Sequence, residues 1–445
     1  MFHIMLGIAA VFNNLYIIIW FYFILATTFY LLAFTKLNTP LLLASTMVYL
    51  GAFELIARMT KCSPFIPWEA SKYIFTVLSI IGILFTFSFS RKKIVGFLII
   101  MLTIPAILID KSEMAKLNDI IFNVLGIINI GLGLIFFSAL TIKKSRYIDL
   151  FSLLIYPCIA VLTYTFIKTP DLQDINFSLG ALTATSGEFG SNQVSTVFGL
   201  GFLLMSMACV LDWKMLGSKI IDGLVAVAFL IQGLFTFSRG GMIGGGLALL
   251  LFLYFLIYKN QHASAIPKSV KRYSIPALIV FFLAINYANE LTGGKLLFRY
   301  QGETEGTLRG SRDRDLNTLT SNRNLIFFSD IELWLENPVL GSGAGSSKYL
   351  RAEGQGTAAH IELSRLLAEQ GLPGLIIFLL ILYSGYNYFK ETDSVLRAIK
   401  VSIFVLAIFT TFHSATRTFV TPILISLCAI NVWSPKTTYD SLSRK

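Results

Sequence analysis

Among the polar residues of this chain, Arg239, Arg323 and His360 have the types that phosphate binding and proton transfer require. Arg239 lies in the turn Phe235-Thr-Phe-Ser-Arg-Gly-Gly241, between two long apolar runs. A guanidinium there can fork onto a pair of phosphate oxygens, a contact that strengthens where water is partly excluded. The plainer role for the same residue is an interfacial anchor whose head snorkels to lipid headgroups. Arg323 opens the segment 322–336, in which Leu325, Phe328, Ile331 and Leu335 recur at helical spacing and Asn337-Pro338 supplies a stop. The turn Gly341-Ser-Gly-Ala-Gly345 follows; its amides either face an anion or only reverse the chain.

His360 stands in Thr357-Ala-Ala-His360-Ile-Glu362-Leu-Ser-Arg365. Thr357 reads as the N-cap of a helix over 358–370, with Gly371 as its stop and Pro373 just beyond. That puts His360 in the first turn, where the positive end of the helix disfavours imidazolium and leaves a neutral ring able to accept a proton. Ser364 shares its face, and Glu362 and Arg365 flank it. A polar surface helix with a histidine near its cap would look the same. His413 and Arg417 fall in a polar break near the end of the chain, where such a pair is ordinarily solvated, and His3 and His262 have nothing convergent around them. The four cysteines form no CxxC or Cys/His cluster, which predicts neither disulfide nor zinc. Asp313 and Asp315 have the spacing of a metal-binding pair, but they alternate with Arg312 and Arg314 and read as self-paired and exposed.

The elements that must position these groups are apolar. Hydrophobic residues make up 55% of 445 positions and charged residues 14%, too little polar surface for a water-soluble globule of that length. Runs near the length that crosses about 30 Å of hydrocarbon recur at 14–34, 39–57, 72–90, 94–109, 120–141, 148–168, 194–212, 219–237, 241–258, 274–291 and 372–389, with shorter ones at 399–411 and 418–433. The expectation is an all-α polytopic membrane protein with about twelve spans, between eleven and thirteen, forming one integral-membrane domain over 1–445. The first run is expected to be retained, because it lacks a basic leader and a cleavage site.

Basic clusters at Arg91-Lys92-Lys93, Lys143 to Arg146, Lys214/Lys219, Lys259 to Arg272 and Lys390 to Lys400 alternate onto one side, the cytoplasmic one by the positive-inside rule. The other side then carries 58–72, 110–119, 169–193, the Ser238-Arg239 turn and a large, mainly helical insert over 291–371. The net charge of +11 sits at these membrane borders instead of forming a stripe on a soluble face, which argues against nucleic-acid binding.

Taken in order, Ser238-Arg239-Gly240 opening an apolar helix, an outer loop with Arg323, Trp334, Pro338 and Gly341-x-Gly343-x-Gly345, then His360 and Gly371-Leu-Pro-Gly374 leading into a span resemble the O-antigen ligase and O-antigen polymerase superfamily. The resemblance covers 230–378, including the loop 291–371. It implies a multi-span glycosyltransferase fold of the GT-C-like kind in the bacterial inner membrane, with the loop periplasmic. It also implies an undecaprenyl-diphosphate-linked glycan as donor, an acceptor glycan or lipid A–core, contact with membrane lipids, and catalysis without metal or other cofactor. By matching position, Arg239 and Arg323 correspond to the arginines that hold the diphosphate and His360 to the residue that activates the acceptor hydroxyl. Glu362, Arg365 and Arg417 are supporting candidates. Where many relatives read His-Asn, this chain has His360-Ile361-Glu362, so the role of that Asn is absent or passes to Glu362. Two other readings remain: a protein O-oligosaccharyltransferase, disfavoured by the lack of a large domain after the last run, and a lipid-linked-oligosaccharide flippase or other transporter, disfavoured by the scarcity of charge within spans, Glu54 being the clearest case.

Overall fold

A computed structural model describes residues 1–35, 37–86, 91–171, 173–257, 268–311, 313–321 and 323–433. His262, Arg312 and Asn322 lie outside the described residues. The apolar runs all fold as helices: α1 (Phe2–Phe12), α2 (Leu15–Phe34), α3 (Thr39–Met59), α4 (Ala70–Phe85), α5 (Arg91–Leu108), α6 (Leu117–Phe137), α7 (Lys144–Lys168), α8 (Ser191–Leu211), α9 (Lys219–Phe235), α10 (Arg239–Ile257) and α11 (Lys268–Leu291). Six short helices follow, α12 (Lys295–Tyr300), α13 (Glu305–Leu308), α14 (Leu316–Thr320), α15 (Arg323–Glu336), α16 (Ser347–Leu350) and α17 (Glu362–Gln370). The chain then returns to the bundle in α18 (Leu372–Tyr386), α19 (Ser394–Thr411) and α20 (Val420–Ala429).

The protein is therefore an all-α, multi-pass membrane protein. Among the described residues, eight helices are long and apolar enough to cross a bilayer: α2, α3, α6, α7, α8, α10, α18 with its extension to Lys390, and α19. The expected number was about twelve. The difference lies in segments such as α4, with 16 residues, and α20, with 10, which are short against the roughly 20 residues that a crossing needs. α1 was not foreseen; it packs on α7 so closely that a Cβ at Gly7 would lie 2.7 Å from the Ala160 carbonyl oxygen.

The two ends of the bundle are built differently. At one end Lys92 Nζ bonds the Ala429 carbonyl at 3.0 Å, Lys400 Nζ bonds the Ile430 carbonyl at 2.9 Å, and the strands β1 (Thr141–Lys143) and β2 (Asn431–Trp433) pair in parallel. These are the loops whose lysines and arginines set the expected cytoplasmic side. The α12–α17 segment covers the opposite end.

The Gly341–Gly345 turn fastens that segment. The amides of Ser342, Gly343 and Ala344 donate to the carbonyls of Ala368, Glu369 and Ala106 at 2.9, 3.0 and 2.8 Å, so they are not offered to an anion. Gly343, at φ +101°, has room for no side chain: its Cβ would lie 1.9 Å from the Ile109 carbonyl oxygen. This is a packing turn that locks α17 onto the α5–α6 connection. Two further local expectations change. The apolar stripe of α15 faces outward, with Phe328 59% and Leu335 66% exposed, while Ser329, Asp330 and Leu333 point inward because Asp330 pairs with the buried Arg351. α17 begins only at Glu362, with Ile361 as N-cap, since the Thr357 carbonyl is held by Arg351 at 2.6 Å and the intervening residues run extended to meet the α19–α20 turn.

Candidate functional site

The site begins at the turn from α9 into α10. Phe237 takes a left-handed conformation (φ +54°), and Ser238 Oγ then donates to Asn192 Oδ1 at 2.7 Å while accepting from Ser195 Oγ at 2.9 Å. The turn is thereby clamped to the start of α8. Glycines make this contact possible: a Cβ at Gly241 would lie 2.1 Å from the Ser195 carbonyl oxygen, and one at Gly245 would lie 2.5 Å from that of Gly199. Gly240 and Gly244 instead lie against the side chains of His413 and Phe409, and Gly246 faces open space.

Arg239, the first residue of α10, reaches into the α12–α15 segment. Its Nη1 donates to the Arg299 carbonyl at 2.9 Å and its Nη2 to Ser321 Oγ at 3.2 Å. Arg299 answers in the reverse direction, with Nε on the Phe237 carbonyl at 3.2 Å and Nη2 on the same Ser321 Oγ at 3.1 Å. Arg323 Nη2 donates to Asn192 Oδ1 at 3.3 Å, so Asn192 joins the Ser238 turn to α15.

Three guanidiniums are thus gathered against one end of the bundle. Burial first, then the neighbouring cations Arg239 and Arg323, lower the Arg299 pKa to about 10. Burial and Arg239 do the same to Arg323. Among the described residues neither Arg299 nor Arg323 meets a carboxylate, in contrast to Arg351, paired with Asp330 at 3.1 Å, and Arg365, paired with Glu362. Arg299 was not singled out in the sequence. Its only signal there was a cation within Lys295-Leu-Leu-Phe-Arg-Tyr300, which reads as an ordinary amphipathic turn.

His360 lies on the extended stretch just before α17. Its carbonyl accepts from the Ala415 amide at 3.1 Å, and the preceding carbonyl, of Ala359, accepts from the Arg417 guanidinium. Burial, then Arg417, Arg323, His413 and Arg351 in that order, push its pKa down to about 3. The ring is therefore neutral near pH 7, as expected, but the cause is dehydration among arginines instead of a helix end. Among the described residues neither ring nitrogen has a hydrogen-bond partner, which leaves the imidazole open to a ligand.

His413 and Arg417 do not form a solvated pair. His413 is 3% exposed, lies against Gly240, where a Cβ would approach its Cγ to 2.5 Å, and places Nε2 2.9 Å from Thr196 Oγ1. Burial and Arg323 bring its pKa to about 4. Arg417, also without a carboxylate partner among the described residues, braces the stretch that carries His360, and burial and Arg365 lower its pKa to about 10.

Glu362 and Arg365 sit behind the imidazole. Glu362 pairs with Arg365 and accepts from the Thr416 amide at 3.0 Å, and Arg365 Nη1 bonds the carbonyl and side-chain oxygens of Asn123 at 2.7 and 2.5 Å. They tie α17, the α19–α20 turn and α6 together. Ser364 is likewise occupied, donating to Asp330 Oδ2 at 2.8 Å. Of the two aspartates read as self-paired, Asp315 Oδ1 caps α14 by accepting from the Thr318 amide at 2.7 Å, and Arg314 reaches Glu303 at 3.6 Å. Among the described residues no group of three or more His, Cys, Asp or Glu side chains converges as metal ligands would.

The arrangement is a group of partly buried cations on the side of the bundle that carries a neutral imidazole. It can hold a compact dianion and accept one proton from a hydroxyl placed next to it. Residues 224–379 match the family described as O-antigen ligase, a stretch that includes Arg239, Arg299, Arg323 and His360 but stops short of His413 and Arg417. No curated protein matches the chain. That matched stretch, which carries the arginines and His360, supports placing the chain with the O-antigen ligase and polymerase superfamily.

Proposed function

We propose that this O-antigen ligase/polymerase-type protein transfers a glycan from undecaprenyl diphosphate to an acceptor hydroxyl, on a periplasmic glycan or on lipid A–core, at the outer face of the bacterial inner membrane and without a metal ion. The observation that carries the reading is the meeting of partly buried guanidiniums, of which Arg299 and Arg323 have no carboxylate partner among the described residues, with a neutral imidazole whose ring nitrogens have no hydrogen-bond partner there. Such a cluster is unfavourable until an anion arrives, and a diphosphate supplies two charges at the spacing that forked guanidiniums prefer.

In the reaction the acceptor oxygen forms a bond to the anomeric carbon and its proton passes to His360. The bond from that carbon to the phosphate oxygen breaks, and its electron pair stays on the phosphate. Arg239 and Arg323 hold the diphosphate and collect the developing charge in a site where burial of the arginines partly reduces screening by water. His360 removes the proton and orients the hydroxyl. Positioning and electrostatics are sufficient for this step because the diphosphate is already a good leaving group.

A transport reading has less support. Glu54, the clearest charge within a span, is paired with Arg58 at 2.8 Å in the last turns of α3 instead of standing alone along a path. The test is direct: purified protein is given a lipid-diphosphate glycan and an acceptor in EDTA. Appearance of the extended acceptor with release of free lipid diphosphate is the expected result. Movement of intact donor across a proteoliposome, with no glycosidic bond made, would replace this reading by transport. Activity that requires a restored divalent ion would remove its metal-free part.

A further inference from the structure

We propose that Arg299, together with Arg239, forms the end of the site that receives the leaving phosphate and binds the released lipid diphosphate more tightly than the intact donor. The inference rests on the lipid-diphosphate reading above and adds a residue and a direction to it.

The direction comes from the geometry. Arg299 and Arg239 aim one N–H each at a single neutral oxygen, Ser321 Oγ, from 3.1 and 3.2 Å. A hydroxyl oxygen has two lone pairs, so both are taken up by cations, and an anionic oxygen is the natural group to stand between such donors. The two side chains are also cross-braced: Arg239 is held by the backbone of Arg299, and Arg299 by the backbone of Phe237, two residues before Arg239. Donors held in place beforehand need no reorganisation when charge appears.

Arg323 occupies a different position. It bonds Asn192, whose carbonyl accepts from Thr196 Oγ1; Thr196 in turn meets His413 Nε2, and the turn after His413 holds the His360 carbonyl through the Ala415 amide, whereas among the described residues the Arg299 side chain bonds only Phe237 and Ser321. The imidazole and the acceptor it serves are therefore on the Arg323 side and Arg299 on the other, with Arg239 between them, its neighbour Gly240 against His413 and its side chain on Arg299. In a displacement at the anomeric carbon, the leaving oxygen departs away from the attacking one, which is toward Arg299.

The charge balance makes the third guanidinium useful. A diphosphate esterified at both ends carries two negative charges. After the carbon–oxygen bond breaks, its electron pair remains on the terminal phosphate, and the lipid diphosphate carries three when that group is fully ionised, the acceptor proton having gone to His360. Two arginines match the donor, and Arg299 matches the increment, which exists only in the transition state and the product. An interaction of that kind raises kcat and leaves donor binding little changed.

The test compares Arg299→Gln and Arg299→Lys with wild type for kcat, donor KM, and inhibition by free undecaprenyl diphosphate and undecaprenyl phosphate. For Arg299→Gln a fall in kcat of about 10²–10³-fold is expected, with donor KM within a few-fold. The inhibition constant of the lipid diphosphate should weaken by about tenfold or more, well beyond the change in KM. Arg299→Lys keeps the charge but cannot reach Ser321 and the Phe237 carbonyl together, so it should fall between the two; if Arg299→Gln does not fold, the same split is read on Arg299→Lys. A residue that only supports the fold would lower the amount of active protein and leave the ratio of inhibition constant to KM unchanged, and that result overturns the proposal. So does a rise in KM with kcat intact. A wild-type protein that transfers glycan but is insensitive to lipid diphosphate would remove the diphosphate reading itself, and this inference with it.

Discussion

At the scale of single residues, the groups that matter are held by what surrounds them more than by the elements that carry them. If Arg239 and Arg323 bind the diphosphate, replacing either by Lys keeps the charge but loses the planar fork, and turnover should slow by about 10²–10³-fold at normal protein levels. Glycan assembly near wild-type rates in both variants would make them interfacial anchors. His360 gives a second handle. Its pKa near 3 in the free enzyme, set by burial and by Arg417 and Arg323, means that kcat/KM should show no acid limb from this base between about pH 5 and 8. A histidine of ordinary pKa would lose about tenfold per unit below 6.5. A bound dianion offsets the cations, so the corresponding limb in kcat should lie at higher pH than the one in kcat/KM. A kcat/KM profile that breaks near 6.5 contradicts the buried, cation-flanked ring. These three residues were legible in the sequence because each stood at a polar border with few competitors. Arg299, Asn192 and the buried state of His413 were not, since their roles come from contacts such as Ser321 and Gly240 that lie far apart in the chain.

At the scale of elements, two features carry the geometry. The first is the close approach of α8 and α10, where Gly241 and Gly245 meet backbone atoms of Ser195 and Gly199. No side chain can move aside there, so Gly241→Ala should destabilise the bundle by about 1–3 kcal/mol or more and displace Arg239. Gly246→Ala, which meets nothing within 4 Å, should be silent. Thermal unfolding in detergent distinguishes them, and equal midpoints would show that the contact is looser than described. The second is the ion network behind His360. Glu362→Ala leaves Arg365 buried near Glu369 alone at 3.8 Å and should cost about 3–5 kcal/mol. If instead Glu362 replaces the family Asn as a substrate contact, the unfolding midpoint will hold while activity falls. Helix existence was readable from hydrophobic runs. Helix α17 starts later than the sequence indicated because Arg351 takes the Thr357 carbonyl, and the α15 stripe turns outward because an Asp–Arg pair claims its inner face; neither partnership is visible in a local pattern.

At the scale of the whole molecule, the topology is the claim on which the site depends. A cysteine introduced at the exposed Glu305, in place of the native thiols, should react with a membrane-impermeant reagent in cells whose outer membrane alone is permeabilised. Reaction only after inner-membrane lysis would put α12–α17 in the cytoplasm and remove the proposed substrates from reach. Sequence pattern supported the bundle and the side on which its basic loops gather, since lipid demands long apolar helices and leaves their number countable. Among the described residues eight helices meet the length and composition of a crossing, fewer than the twelve or so expected, because an apolar run and a full-length span differ by only a few residues, as α4 and α20 illustrate. The central claim is that the assembled molecule makes a glycosidic bond with His360 as its base. It is tested most directly by glycan transfer with purified, correctly folded His360→Ala protein beside wild type. The expected result is a rate about 10²–10⁴-fold lower, with intact lipid-linked donor left over. A variant that transfers glycan within a few-fold of wild type contradicts the account.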